Sequence, residues 1–164
     1  MAHFPLNHPL RPLYRTLAGL TGTYILIFGS VSLTRTVGQT LFSRENTWAL
    51  GLRTNLAFAI ASVVWGLIVL LANLIGGNVG HYTNLAGAVV FMITGIYMLA
   101  FMQTAANFLN FSVSTAILSL VFALVLLVAG MYDKTGSRES MAAEQAFKTA
   151  SMPHNQAGRP TAGR

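Results

Sequence analysis

The chain has 164 residues, 54% of them hydrophobic and only 9% charged, with no cysteine. A soluble domain carries about 25% charged residues, and a chain without cysteine has no disulfide framework, thiol chemistry or thiolate metal site. The net charge of +6 is spread outside the apolar segments without a basic run, so it reads as membrane topology. The clustered phosphate contacts that nucleic acid requires are not there, and no nucleic-acid partner is expected.

Residues 1–13 form a polar lead in which Pro5, Pro9 and Pro12 oppose a regular helix. The first apolar run spans about 14–34, enough to cross a hydrocarbon core of about 30 Å. A secretory leader is the rival reading, with Arg11 and Arg15 as its basic flank and Ser30-Val31-Ser32 as its cleavage site. The length of the run and the three spans after it favour a retained helix. Residues 35–53 mix Arg35, Arg44, Glu45 and Arg53 with Leu41, Phe42, Trp48, Leu50 and Leu52. Two readings stand for them, an interfacial segment with Trp48 at headgroup depth or an ordinary loop touching the bundle.

From Thr54 to Tyr132 there is no Asp, Glu, Lys or Arg. Lipid is the natural solvent for such a run, because a charge at the membrane centre costs roughly 2.5–3.5 kcal/mol on insertion scales. It divides into spans at about 55–75, 82–101 and 111–132. The first break is Gly76-Gly77-Asn78-Val79-Gly80, where glycine permits positive φ, and the second is the uncharged stretch 103–110. Tyr132-Asp133-Lys134 marks the return to water. Residues 133–164 hold few bulky apolar side chains and are expected to be mostly disordered. Within them, 137–148 is expected to form a transient helix, with Glu144 four residues before Lys148.

The expected fold is therefore all-α, an antiparallel bundle of four transmembrane helices followed by a disordered C-terminal tail. An even number of spans puts both termini on one side. Arg11, Arg15, Lys134, Arg138, Lys148, Arg159 and Arg164 then face Arg35, Arg44 and Arg53, which predicts cytoplasmic termini. Helices in lipid associate through close packing of small residues. The candidates are Ala18 with Gly22, Ala57 with Ala61, Ser62 with Gly66, and the stripe Thr115, Ser119 and Ala123.

Reactive groups are sparse. His81 lies in or beside the second connection, and His3, His8 and His154 belong to the ends, so no metal site is expected. No catalytic residue or cofactor is assigned. The uncharged polar residues Asn55, Ser62, Asn73, Asn84, Thr94, Gln103, Ser112, Ser114 and Thr115 are read first as caps and interhelical bonds. Asn55, Ser62, Asn84, Ser114 and Thr115 also form a candidate polar cleft for a lipid-soluble molecule. The expected function is a non-catalytic structural or accessory subunit, with a membrane-protein partner or a second copy. The alternative is a membrane enzyme or carrier that binds a lipid or quinone.

The stretch Trp48-Ala49-Leu50-Gly51-Leu52-Arg53-Thr54-Asn55-Leu56, followed by Phe58, Ser62 and Gly66, resembles the approach to the second span in a family of small bacterial four-helix membrane proteins. That family, common in actinobacteria, is a domain of unknown function. Leu50, Gly51, Asn55 and Gly66 match its pattern, while Phe58 and Ser62 stand where two histidines are expected. The resemblance covers about residues 12–132. It implies a four-helix fold in a bacterial plasma membrane, supplies no activity, and leaves an imidazole-based role without its residues.

Overall fold

The computed structural model describes residues 9–136 together with Ala142, Ala146 and Phe147. The expectations for the tail, its disorder and the transient helix over 137–148, lie largely outside the described residues. Residues from Thr135 onward group apart from the unit that ends at Lys134, and the latter holds all the elements that follow.

Four helices, α1 (Arg11–Thr36), α2 (Leu56–Ile75), α3 (Gly77–Ala100) and α4 (Val113–Tyr132), make up the unit, with a short hairpin of β1 (Trp48–Ala49) and β2 (Leu52–Arg53) between the first two. All four helices are long and apolar enough to cross a membrane. Helix α1 starts earlier than the apolar run at 14–34 suggested. Pro12 sits in its first turn, where a missing N–H costs nothing because that donor has no intrahelical acceptor. At 26 residues it is about 39 Å long, so Arg11, Arg15 and Arg35 lie at its two ends and not outside it.

Helix α2 begins on Asn55, whose side-chain oxygen accepts the Phe58 N–H at 2.9 Å. It ends at Gly76, where φ is +76°. The expected break over 76–80 narrows to Gly76, the one residue outside both helices. Gly76 and Gly77 take positive φ and reverse the chain; Asn78, Val79 and Gly80 already belong to α3. Gly80 serves packing and not a turn, since a Cβ there would stand 2.6 Å from a carboxylate oxygen of Asp133. Helix α4 starts at Val113, with the Ser112 hydroxyl accepting the Thr115 N–H at 3.3 Å, two residues later than expected.

Contacts between helices fix their directions. Gly22 faces Leu70 while Gly29 faces Val63, and Gly87 faces Leu126 while Gly95 faces Leu120. Asn73 meets Asn84, Tyr14 stacks on Tyr132 and Tyr24 meets Phe122. Neighbours therefore run antiparallel, up-down-up-down. The α1–α2 and α3–α4 pairs are the most extensive, and thinner seams join them.

The two pairs achieve closeness differently. A Cβ on Gly22, Gly29 or Gly66 would lie 2.8, 2.5 or 2.5 Å from a backbone nitrogen of the facing helix, so α1 and α2 touch backbone to backbone. In the α3–α4 pair a Cβ at Gly87 or Gly95 would meet a leucine side chain at 3.0 Å, and at Gly130 the Leu85 side chain at 2.8 Å before its backbone nitrogen at 3.0 Å. Close approach of this kind replaces the hydrophobic drive that lipid does not supply.

Candidate functional site

The polar residues form three groups at different depths. The first closes the end that carries the connections 37–55 and 101–112. The hairpin turn Leu50-Gly51 has positive φ at both residues, +49° and +78°, as a two-residue reversal matched to strand twist requires. Strand alternation turns Ala49 and Leu52 onto Phe28 and leaves Trp48 and Leu50 exposed. Three buried asparagines then bind loop carbonyls. Asn55 donates to Ser43 and Phe108 at 3.3 and 2.7 Å. Asn107 donates to Met102 and Phe111 at 3.0 and 2.9 Å. Asn110, itself at φ +57°, donates to Glu45 and Thr54 at 2.8 and 3.0 Å. A primary amide has two N–H donors, and all three asparagines spend both here.

The second group lies about one to three turns in from that end. Ser62, Thr115 and Ser119 border a gap of about 20 Å³ between the helices. Beside it, in the α2–α3 seam, a cavity of about 150 Å³ is lined by Phe58, Ser62, Trp65, Phe91, Thr94 and Phe111, among others. The indole N–H of Trp65 is buried and has no hydrogen-bond partner among the described residues.

The third group closes the terminal end. Asn73 and Asn84 exchange two bonds of 2.9 Å each, and Asn73 also donates to its own helix at Val69, 2.8 Å away. His81 is not in a loop. It lies in α3, 3% exposed, with Nδ1 2.6 Å from the Gly130 carbonyl. Asp133, fully buried, accepts the Arg11 Nε–H at 2.7 Å. Its second oxygen is buried against Gly80 with no hydrogen-bond partner among the described residues. Arg15 crosses the end of α2 and donates to the carbonyls of Asn73 and Leu74, the orphan acceptors of a helix C-terminus.

This arrangement separates the five residues of the candidate cleft. Asn55 caps α2 at the connecting end. Asn84 pairs with Asn73 at the other, about 27 Å along the helix by rise per residue. Ser62 and Thr115 both line the small gap nearer the connecting end. Ser114 is exposed and bonds Ser112 at 3.0 Å. A single cleft is ruled out because polar groups at both ends of a helix cannot converge.

Of the packing candidates, Ala18, Gly22, Ser62, Gly66, Thr115, Ser119 and Ala123 are buried. Ala57 is half-buried and Ala61 exposed, since the inner face of α2 runs through Ala59, Ser62, Gly66, Val69 and Asn73. Local sequence patterning pairs neither Arg11 with Asp133 nor Asn73 with Asn84. The only available signal was that α1 and the end of α4 each carry a charge close to the apolar run. Among the described residues no group of three His, Cys, Asp or Glu is placed to hold a metal ion. Comparison with family models, with curated proteins and with solved structures found no match.

Proposed function

We propose that the protein is a structural or accessory subunit of a bacterial plasma membrane, without catalysis of its own and with both termini in the cytoplasm. The observation that carries this reading is where the buried amides go. Asn55, Asn73, Asn84, Asn107 and Asn110 are all engaged with backbone or with each other. Their donors hold the frame together and leave little for a substrate. The family resemblance supports it too, since its matching residues are framework positions: Gly51 makes a turn, Asn55 caps a helix and Gly66 touches α1.

Orientation rests on the tail. Close to the bundle the basic residues balance, with Arg11, Arg15 and Lys134 at one end and Arg35, Arg44 and Arg53 at the other. Arg138, Lys148, Arg159 and Arg164 then tip the count to the terminal side. Purification at native level in mild detergent tests the accessory reading. A stoichiometric protein partner, or a stable second copy, is expected; a chain that always runs alone overturns it.

The seam cavity favours a second reading, a carrier or membrane enzyme for a lipid-soluble molecule such as a quinone. A cavity near 150 Å³ is about the size that admits one aromatic ring. Phe58 and Ser62, which stand where the resembled family has histidines, both line it. Filling it with Thr94→Leu would then remove a co-purifying quinone. Recovery of no quinone above the membrane background from the wild type contradicts this reading.

A further inference from the structure

We propose that the groove between α1 and α2 at the terminal end is a binding site for one anionic phospholipid, with its phosphate at Arg11 and Arg15. The proposal rests on the helices crossing a membrane, not on the accessory-subunit reading. The groove has a volume of about 540 Å³ and runs from Arg11 and Arg15 past Gly19 and Leu20 to Thr23 and Leu70. That volume lies within the range of about 300–1,000 Å³ typical of small-molecule sites. Its length from Arg11 to Thr23 is about 18 Å at the α-helical rise. One end is therefore cationic and near the water boundary, and the other is apolar and deeper. The two threonines do not make the wall polar, because Thr16 and Thr23 donate to their own helix at Pro12 and Gly19, 2.9 Å away in each case.

Charge complementarity selects the occupant. Two guanidiniums and one carboxylate, that of Asp133, meet at this end of α1. Asp133 takes only Nε of Arg11. Arg15 bonds two carbonyls and meets no carboxylate among the described residues. The C-terminal dipole of α2 and the N-terminal dipole of α1 contribute about half a charge each, of opposite sign, so they cancel to first order. What remains among the described residues is a net positive charge at this end, with guanidinium N–H donors left over, which suits the negative charge of a phosphodiester. Gly19 keeps the groove open. A Cβ there would meet nothing nearer than the Asn73 Cβ at 4.0 Å, in contrast to the tight glycines deeper in the same interface. On the proposed orientation the groove opens to the cytoplasmic leaflet, where anionic headgroups attract basic side chains at the membrane surface.

The test is native mass spectrometry of the full chain in mild detergent, with phosphatidylglycerol or phosphatidylcholine of the same acyl chains added. The wild type is expected to retain one phosphatidylglycerol at least about tenfold better than phosphatidylcholine, as loss or gain of a charge-assisted bond implies. Arg15→Gln should erase about tenfold of that preference. Gly19→Leu, which fills the groove without changing charge, should abolish the retained lipid. Arg35→Gln, at the opposite end of α1, should change nothing. Equal retention of the two lipids overturns the proposal. So does an Arg35→Gln loss as large as that of Arg15→Gln, because binding would then be diffuse surface attraction. Should Arg15→Gln fail to fold, Gly19→Leu decides alone: full retention of phosphatidylglycerol by that variant rules the groove out.

Discussion

The two ends of the bundle solve one problem with different chemistry. At the connecting end, long loops bring many backbone carbonyls out of water, and neutral amides of Asn55, Asn107 and Asn110 bind them. At the terminal end the connection between helices is a two-glycine reversal, and the leftover groups are helix termini and charges. Arg15 caps α2, and Asp133 holds Arg11. An amide that has spent its donors has none left to offer a ligand. A guanidinium carries five donors; Arg44 and Arg53 at the connecting end each give one to a loop carbonyl, whereas Arg11 and Arg15 line a groove, so the terminal end is the one with capacity left for a ligand.

The contrast can be broken most sharply at Asn55. Asn55→Leu removes the α2 cap and leaves the Ser43 and Phe108 carbonyls without donors. A lost cap costs about 1 kcal/mol and each buried unsatisfied group about 1–3 kcal/mol, so destabilisation of roughly 3 kcal/mol is expected from unfolding in detergent. A loss under about 1 kcal/mol would show that the loops are held by something other than the asparagines.

Asp133→Leu should cost less, although it removes a fully buried carboxylate. Breaking a buried pair costs about 3–5 kcal/mol, but the Arg11 side chain is 26% exposed and can rehydrate, so about 2 kcal/mol is expected. The same unfolding measurement checks it, and a variant as damaged as Asn55→Leu would erase the distinction between the ends.

The Asn73–Asn84 exchange is an amide device placed at the charged end, and a double-mutant cycle with Asn73→Leu and Asn84→Leu measures it. A coupling of about 0.6–1.7 kcal/mol is expected, the range for interhelical bonds in membranes. Additive single effects would mean that the exchange contributes no pairwise stability. Smallest is Leu50→Asn in the hairpin turn. Leucine at φ +49° is strained, whereas asparagine suits that position, so a gain of about 0.5 kcal/mol is expected. A loss would mean that the exposed Leu50 side chain is held by a contact outside the bundle.

Much of this fold could be read from the sequence because lipid imposes a coarse rule. Residues 54–132 without a formal charge leave few alternatives to membrane helices, and Asn55 before an apolar run is a recognisable cap. The errors came where a residue serves two roles. Gly80 looks like part of a turn, yet it clears space for Asp133. Pro12 looks like a helix breaker, yet a first turn accepts it. The candidate cleft failed for a different reason. Polarity along a sequence gives no depth, and Asn55 and Asn84 belong to opposite ends of the bundle. Long-range partners such as Arg11 and Asp133, 122 residues apart, leave no mark in local patterning.

On the proposed orientation the two ends of the bundle lie on opposite sides of a membrane, with the arginine groove on the cytoplasmic side. The chain has no cysteine, so single cysteines report without background. Thr40 is exposed in the first connection, and Ser151 belongs to the tail. Thr40→Cys and Ser151→Cys, examined one at a time in intact cells with an impermeant thiol reagent, give the most direct measurement. Labelling at position 40 in intact cells, and at 151 only after permeabilisation, is the predicted result. Labelling at 151 and not at 40 would reverse the orientation, and labelling at both would contradict an even number of spans.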